Sequence, residues 1–216
     1  MGSLHRIVLA TINAKWIHPS LALRLLKANL GSLSSQCEIL EFALRQPLKE
    51  KVDAILAAQP RILALSVSIW NHLAIVELLK ALEKECALKP RDNKPIVVLG
   101  GPEVSWLPPD AEIFRHADYI ICGEGEESFR ALCLKIFNEN SADGKDTSSP
   151  AKDEKSEGKE PVFINKGETT VDVNKIIPAY NLYTDEDLNR KLIYVEASRV
   201  VAPYPDHFGV HIFDDT

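Results

Sequence analysis

Two runs constrain this chain more than anything else in it: "ILALSVS", Ile62 to Ser68, and "PIVVLGG", Pro95 to Gly101. Neither alternates between polar and apolar residues. A short, continuously apolar run bounded by turn residues is what a strand covered on both faces looks like, and such strands belong in parallel sheets with helices above and below. The stretches around them have helical spacing. "PSLALRLLKANL" carries Leu21, Leu25 and Leu26, and "LKEKVDAILAA" sets Leu48, Val52, Ile55 and Leu56 on one side. "AIVELLKALEKECAL", the shorter "PPDAEIFRHA" and "ESFRALCLKIF" continue the series. Between them lie the strands "RIVLAT", "CEILEF" and "DYIICGEGE". Only "CEILEF" alternates, which marks it as an edge strand. The expected fold is therefore α/β: a flavodoxin-like (Rossmann-like), doubly wound, five-stranded parallel sheet of order 2-1-3-4-5.

After residue 138 the composition changes. Residues 139–160 contain no aliphatic or aromatic side chain larger than alanine and read as a disordered linker that separates a first domain, 1–138, from the C-terminal part of the chain. A small C-terminal β extension is expected over 161–199. It comprises a hairpin in "VFINKGETTVDV", turning near Lys166-Gly167, and a connecting strand in "RKLIYVEASR". Residues 200–216 form a divergent tail without period.

Charge and cysteine usage exclude several classes. Residues 1–138 hold 16 Lys and Arg against 15 Asp and Glu, a sum of +1, so within the net charge of -6 the rest of the chain carries -7. That distribution offers no electrostatic footprint for nucleic acid. No apolar run reaches the ~18 residues of a membrane span, and the N-terminus lacks a signal-peptide layout, so a cytoplasmic location is expected. Cys37, Cys86, Cys122 and Cys133 form no C-x-x-C pair, hence no zinc site and no disulfide framework.

In doubly wound sheets ligands bind outside the carboxyl ends of the strands. Those ends collect Asn13, Lys15, Trp16 and His18 after strand one, and Ser66, Ser68, Trp70, Asn71 and His72 after strand three. Strand four is followed by Gly100, Gly101, Pro102, Glu103, Val104 and, in "GGPEVSW", Trp106; strand five by Gly123, Glu124, Gly125 and Glu126. Gly100-Gly101 removes two β-carbons, which lets a flat ligand approach the backbone; a tight turn capped by Pro102 accounts for the same residues. The serine hydroxyls can take polar ligand groups or bond the backbone. Glu124 and Glu126 can accept from a ligand or simply favour the helix N-terminus they open. A response-regulator site fails for want of acidic residues, and a dinucleotide site fails because the one G-x-G follows strand five rather than strand one. A doubly wound interaction module, and a nucleotide-like ligand domain using Glu103, Glu124 and Glu126, remain open on the residues alone.

Taken in order, "NAKWIHPSLALRLLKANL", "SVSIWN", "VLGGPEVSW" and "ICGEGEESF" resemble the N-terminal cobalamin-binding domain of cobalamin-dependent radical SAM proteins, and "YVEASR" resembles the lead-in to their catalytic barrel. The resemblance covers roughly residues 5–138 and 161–199. It implies cobalamin as cofactor, bound by the strand-end residues just named. [4Fe–4S] and S-adenosylmethionine are implied only in full-length relatives, whose reaction would be methyl transfer or corrinoid-assisted radical chemistry. The better-known cobalamin domains carry D-x-H-x-x-G after strand one. Aligned on His18, this chain has Trp16 in the Asp place and Leu21 in the Gly place. The resemblance thus makes His18 the one candidate cobalt ligand, but without an adjacent carboxylate to orient it, and His18→Ala is expected to change a bound corrinoid little. The C-x-x-x-C-x-x-C of radical SAM enzymes is due after "YVEASR", where residues 200–216 hold no cysteine. A truncated relative is expected, carrying no radical chemistry of its own and paired, if at all, with a radical SAM barrel in cis or trans.

Overall fold

The computed structural model describes residues 7–87, 94–141, 160–165 and 171–196. Strand β1 (Ile7–Asn13) is buried at every position but its last, as befits a strand with neighbours on both sides and helices on both faces. It pairs in parallel with β2 (Cys37–Ala43) and with β3 (Ile62–Ser66). Beyond β3 lie β4 (Ile96–Gly100) and β5 (Tyr119–Ile121), also parallel. The sheet order is β2-β1-β3-β4-β5-β6, so the expected order 2-1-3-4-5 is present and one further strand is added.

Alternate residues of the central strands feed two cores. Val8, Ala10 and Ile12 of β1, with Leu63 and Leu65 of β3, pack against Val52 and Ile55 of α2 (Leu48–Ala58) and Ile75, Leu78 and Leu79 of α3 (His72–Cys86). Ile7 and Leu9, with Ile62 and Ala64, pack on the other face against Leu23 of α1 (Leu21–Asn29) and Phe129, Leu132 and Ile136 of α4 (Glu126–Ser141). Helix α1 begins after Ser20, whose hydroxyl accepts from the Leu23 N–H at 3.3 Å. The segment expected as a short fourth helix is a 3-10 turn, Glu112–His116, that buries Ile113 and Phe114.

The C-terminal extension departs from expectation. Val162–Ile164 forms no hairpin with the described residues after it; as β6 it adds to the sheet edge, parallel to β5. The backbone groups on the outer edge of β5 thereby find partners, and Phe163 meets Phe114 edge-on, with ring centroids 5.3 Å apart. The turn expected near Lys166-Gly167 lies outside the described residues. So do the tail 200–216 and the linker 139–160, apart from Glu160 and the first three linker residues, which continue α4.

The expected connecting strand is also absent among the described residues. The chain forms α5 (Asp185–Arg190), closed by a capping box in which the Thr184 hydroxyl accepts from the Asp187 N–H and the Asp187 carboxylate from the Thr184 N–H. Leu192–Glu196 then runs outside the sheet, held by the Tyr183 and Tyr180 hydroxyls, which donate to the Tyr194 and Glu196 carbonyls at 3.1 and 2.9 Å. Among the described residues no helix is long and apolar enough to cross a membrane.

Candidate functional site

Because all strands point the same way, the loops leaving β1, β3, β4 and β5 meet at one edge of the sheet. The three tryptophans of the chain all stand there: Trp16, Trp70 and Trp106 are 46%, 54% and 67% exposed. Ile17, Ile69 and Leu73 are exposed beside them in sequence. Leaving that much apolar surface in water is unfavourable unless something flat and largely apolar covers it. Two cavities of about 740 and 770 Å³ lie elsewhere, one along β2 and α5, the other at the amino ends of β3 and β4, and neither includes the strand-end rim.

The loops are tied to one another. Ser105 accepts from the Gly123 N–H at 3.0 Å, joining the β4 and β5 loops. His72 Nδ1 lies 3.5 Å from a Glu103 carboxylate oxygen, joining the β3 and β4 loops. Asn71, fully buried, joins β1 to β3: its Oδ1 accepts from the Ser68 N–H at 2.8 Å, and its Nδ2 donates to the Ile12 and Ser66 carbonyls at 3.0 and 3.2 Å.

These contacts give several of the expected residues partners within the fold. Asn71 spends its amide on backbone and faces the interior. Ser68 is buried, and its carbonyl accepts from the Asn71 and His72 N–H groups at 3.0 and 3.1 Å, as a helix cap does. Val104 belongs to the apolar core beside α3, and Glu126 is buried in the first turn of α4. Asn13 is half-buried and donates to Glu41 on β2 at 3.1 Å. A β-carbon on Gly125 would meet Leu26 of α1 at 3.2 Å, so this glycine serves helix packing. Lys15, Trp16, Trp70, Pro102 and Gly123 are exposed at the rim, and His18, Ser66, Gly100, Glu103 and Glu124 are half-buried there.

The two glycines after β4 separate in role. Gly101 has φ +101°, and a β-carbon on it would lie 2.5 Å from the Val67 carbonyl oxygen. The tight turn, rather than a ligand, requires glycine at this position. Gly101→Leu is therefore expected to cost at least about 2 kcal/mol in urea unfolding; an unchanged midpoint would contradict this. Gly100 differs, because its β-carbon would make only ordinary contact with the Ile121 carbonyl at 3.7 Å. At Gly123 a β-carbon would meet nothing within 4 Å, although its φ of +68° favours glycine. Space is thus left beside the backbone at the β4 and β5 ends, on the edge that also carries the exposed tryptophans, an arrangement suited to a ligand with apolar faces and a polar edge.

His18 is half-buried and its Nδ1 lies 2.6 Å from the Tyr194 hydroxyl. Trp16 carries the Lys191 ammonium 5.0 Å from its ring centroid. Neither partner was legible from spacing, since both come from the extension. Trp106 had a signal, being the third tryptophan to follow a strand. Among the described residues no group of three or more His, Cys, Asp or Glu is arranged to hold a metal ion. The four cysteines are buried, and burial pushes the Cys37 thiol up to about 12.

The family model of the B12 binding domain matches residues 7–133. Among solved structures, the chain is similar to the cobalamin-dependent S-adenosylmethionine radical enzyme OxsB with aqua-cobalamin bound, at 19% identity and a TM-score of 0.51, over 63% of this chain and 19% of that one. For apo, SeMet-labelled OxsB the TM-score is 0.55 at 19% identity, over 83% of this chain and 24% of that one. At such identity the likeness is one of fold, and the chain spans about a fifth to a quarter of the OxsB length. A cobalamin-binding protein from Desulfitobacterium hafniense DCB-2 aligns at 19% identity with a TM-score of 0.40, covering 61% of this chain and 58% of that one. No curated protein matches the sequence.

Proposed function

The chain belongs to the B12-binding domain family, with cobalamin as its cofactor, and from that premise we propose that it carries cobalamin for a radical SAM barrel supplied in cis or in trans. The observation that supports the reading best is the grouping of three exposed tryptophans and two open glycines on one sheet edge. The resemblance to OxsB in fold adds the expectation of a radical SAM partner, working in the cytoplasm on methyl transfer or corrinoid-assisted radical chemistry. Residues 1–138 form the cofactor-holding unit and 161–199 the connection to that partner.

Trp16, Trp70 and Trp106 supply apolar surface for the ring. Gly100 and Gly123 let it approach the backbone, while Lys15, Ser66, Glu103 and Glu124 offer hydrogen bonds to its amide edge and tail. Bound cobalamin supplies a cobalt centre that carries a methyl group or takes part in redox steps. The residues of this chain hold and orient it and keep water from one face.

The three tryptophans make the test direct. Corrinoid absorption overlaps indole emission, and all three tryptophans stand at the rim, so hydroxocobalamin is expected to quench most of the tryptophan fluorescence and to stay with the protein through desalting. Gly100→Leu should weaken that binding at least tenfold while leaving the unfolding midpoint close to the parent's, because the added side chain projects where the ring must lie. Fluorescence untouched by a saturating excess of corrinoid, and a colourless desalted protein, would end the proposal.

A further inference from the structure

After α5 the chain returns to the mouth of β1 and α1, where the Leu192 N–H donates to the Ile17 carbonyl at 2.9 Å. Two side chains of this returning segment land on the two conspicuous side chains of the mouth. Lys191, anchored at 2.7 Å to Asp187, covers Trp16. Tyr194 meets His18 through its hydroxyl, with ring centroids 5.9 Å apart. The tyrosine is itself held, because its carbonyl accepts from the Tyr183 hydroxyl and the next turn of chain is pinned by Tyr180 at the Glu196 N–H and carbonyl. Among the described residues, His18 Nε2 makes no hydrogen bond.

We propose that Tyr194 is a positioning residue of the corrinoid site: by engaging His18 Nδ1 it fixes the imidazole so that Nε2 is the ring atom turned to the bound corrinoid. An imidazole has two nitrogens on opposite sides of its ring. A bond at one sets the direction of the other. A histidine next to a loop proline has no such constraint from its own neighbours, and the sequence around His18 provides no carboxylate to impose one. The hydroxyl 176 residues away does so instead. The extension is then part of the wall of the site, and docking it completes the mouth. This inference rests on the cobalamin reading above.

The test uses the full chain and the variants Tyr194→Phe, His18→Ala and the double substitution, each loaded with hydroxocobalamin and followed by visible absorption and by electron paramagnetic resonance of the reduced cobalt. Tyr194→Phe keeps the ring and removes one oxygen. It is expected to retain the parent circular dichroism, to bind corrinoid about 3–10-fold more weakly and to move the spectrum of the bound form. His18→Ala should move it too, contrary to the expectation from the neighbouring residues alone, and adding Tyr194→Phe to His18→Ala should change nothing more. A Tyr194→Phe spectrum that superimposes on the parent's, or an equal shift when His18 is already alanine, would overturn the positioning role while leaving the cobalamin reading intact. A parent protein that retains no corrinoid would overturn both.

Discussion

Replacing Arg24 with alanine is expected to cost the fold about 3–5 kcal/mol and to free the extension from the domain. Arg24 is 4% exposed. One guanidinium nitrogen donates to Glu41 at 2.9 Å and to the Ser20 carbonyl at 3.0 Å; another donates to Asp187 at 2.8 Å. Its carbon sits 4.7 Å from the centroid of Tyr183. Lys191 closes the group at 2.7 Å from Asp187, so two cations face two carboxylates across the junction of α1, β2 and α5. Removing Arg24 leaves the buried Asp187 and the half-buried Glu41 with a single cation. The loss should appear in urea unfolding, and limited proteolysis should then cut within residues 180–196. A loss under 1 kcal/mol with an uncut extension would show that the domain and extension hold together without this cluster.

The same cluster sets an acid limit. Burial by itself would raise the Asp187 carboxyl, but the bonds from Lys191, the Thr184 N–H and Arg24 outweigh it and hold the group well below the usual carboxylate range. A carboxyl depressed in the fold stabilises it fully above its unfolded value, near ~3.9. That contribution is lost as pH falls through the lower folded value. The parent should therefore lose stability as pH drops below about 4, more steeply than the Arg24→Ala variant, which keeps the Lys191 and Thr184 bonds to Asp187 but lacks the third.

Asn71→Ala is expected to remove about 2–4 kcal/mol and to weaken corrinoid binding as well, because the same side chain closes the ends of β1 and β3. Its loss takes a partner from the Ser68 N–H and from the Ile12 and Ser66 carbonyls at the junction, and the Ser66 carbonyl keeps only the Thr11 hydroxyl at 3.3 Å among its side-chain donors. Asn71→Asp should be worse at neutral pH. There a carboxylate would face two carbonyl oxygens where the amide donated to them. Acidification should relieve part of that penalty, since a protonated carboxyl can donate one bond. Unfolding midpoints at two pH values, with corrinoid titration at neutral pH, check both statements. An aspartate variant as stable as the parent at neutral pH would show that Asn71 does not carry the junction.

Much of the architecture was legible without coordinates, because burial on two faces is written locally. "ILALSVS" and "PIVVLGG" are apolar without alternation, and that alone places them centrally; "CEILEF" alternates and lies at the edge. Once the sheet is parallel, every strand end falls on one side, so Trp16, Trp70 and Trp106 share an edge although they are far apart in the chain. The direction of each loop side chain could not be derived in this way. Loops have no period, and Asn71 turns inward while Trp70 turns outward by virtue of hydrogen bonds that only the folded β1–β3 junction offers. Likewise "VFINKGETTVDV" has hairpin composition, but the open edge of β5 and the face of Phe114 compete for Phe163 and win. The pairing of His18 with Tyr194, and of Arg24 with Asp187, joins residues 176 and 163 positions apart. Such contacts depend on where α5 docks, and docking is a property of packed surfaces rather than of any stretch of chain. The sequence by itself therefore determined the parallel sheet, the order of its first five strands and the edge at which their ends gather. Only the tertiary structure decided which of the residues at that edge are exposed and which close the fold beneath it.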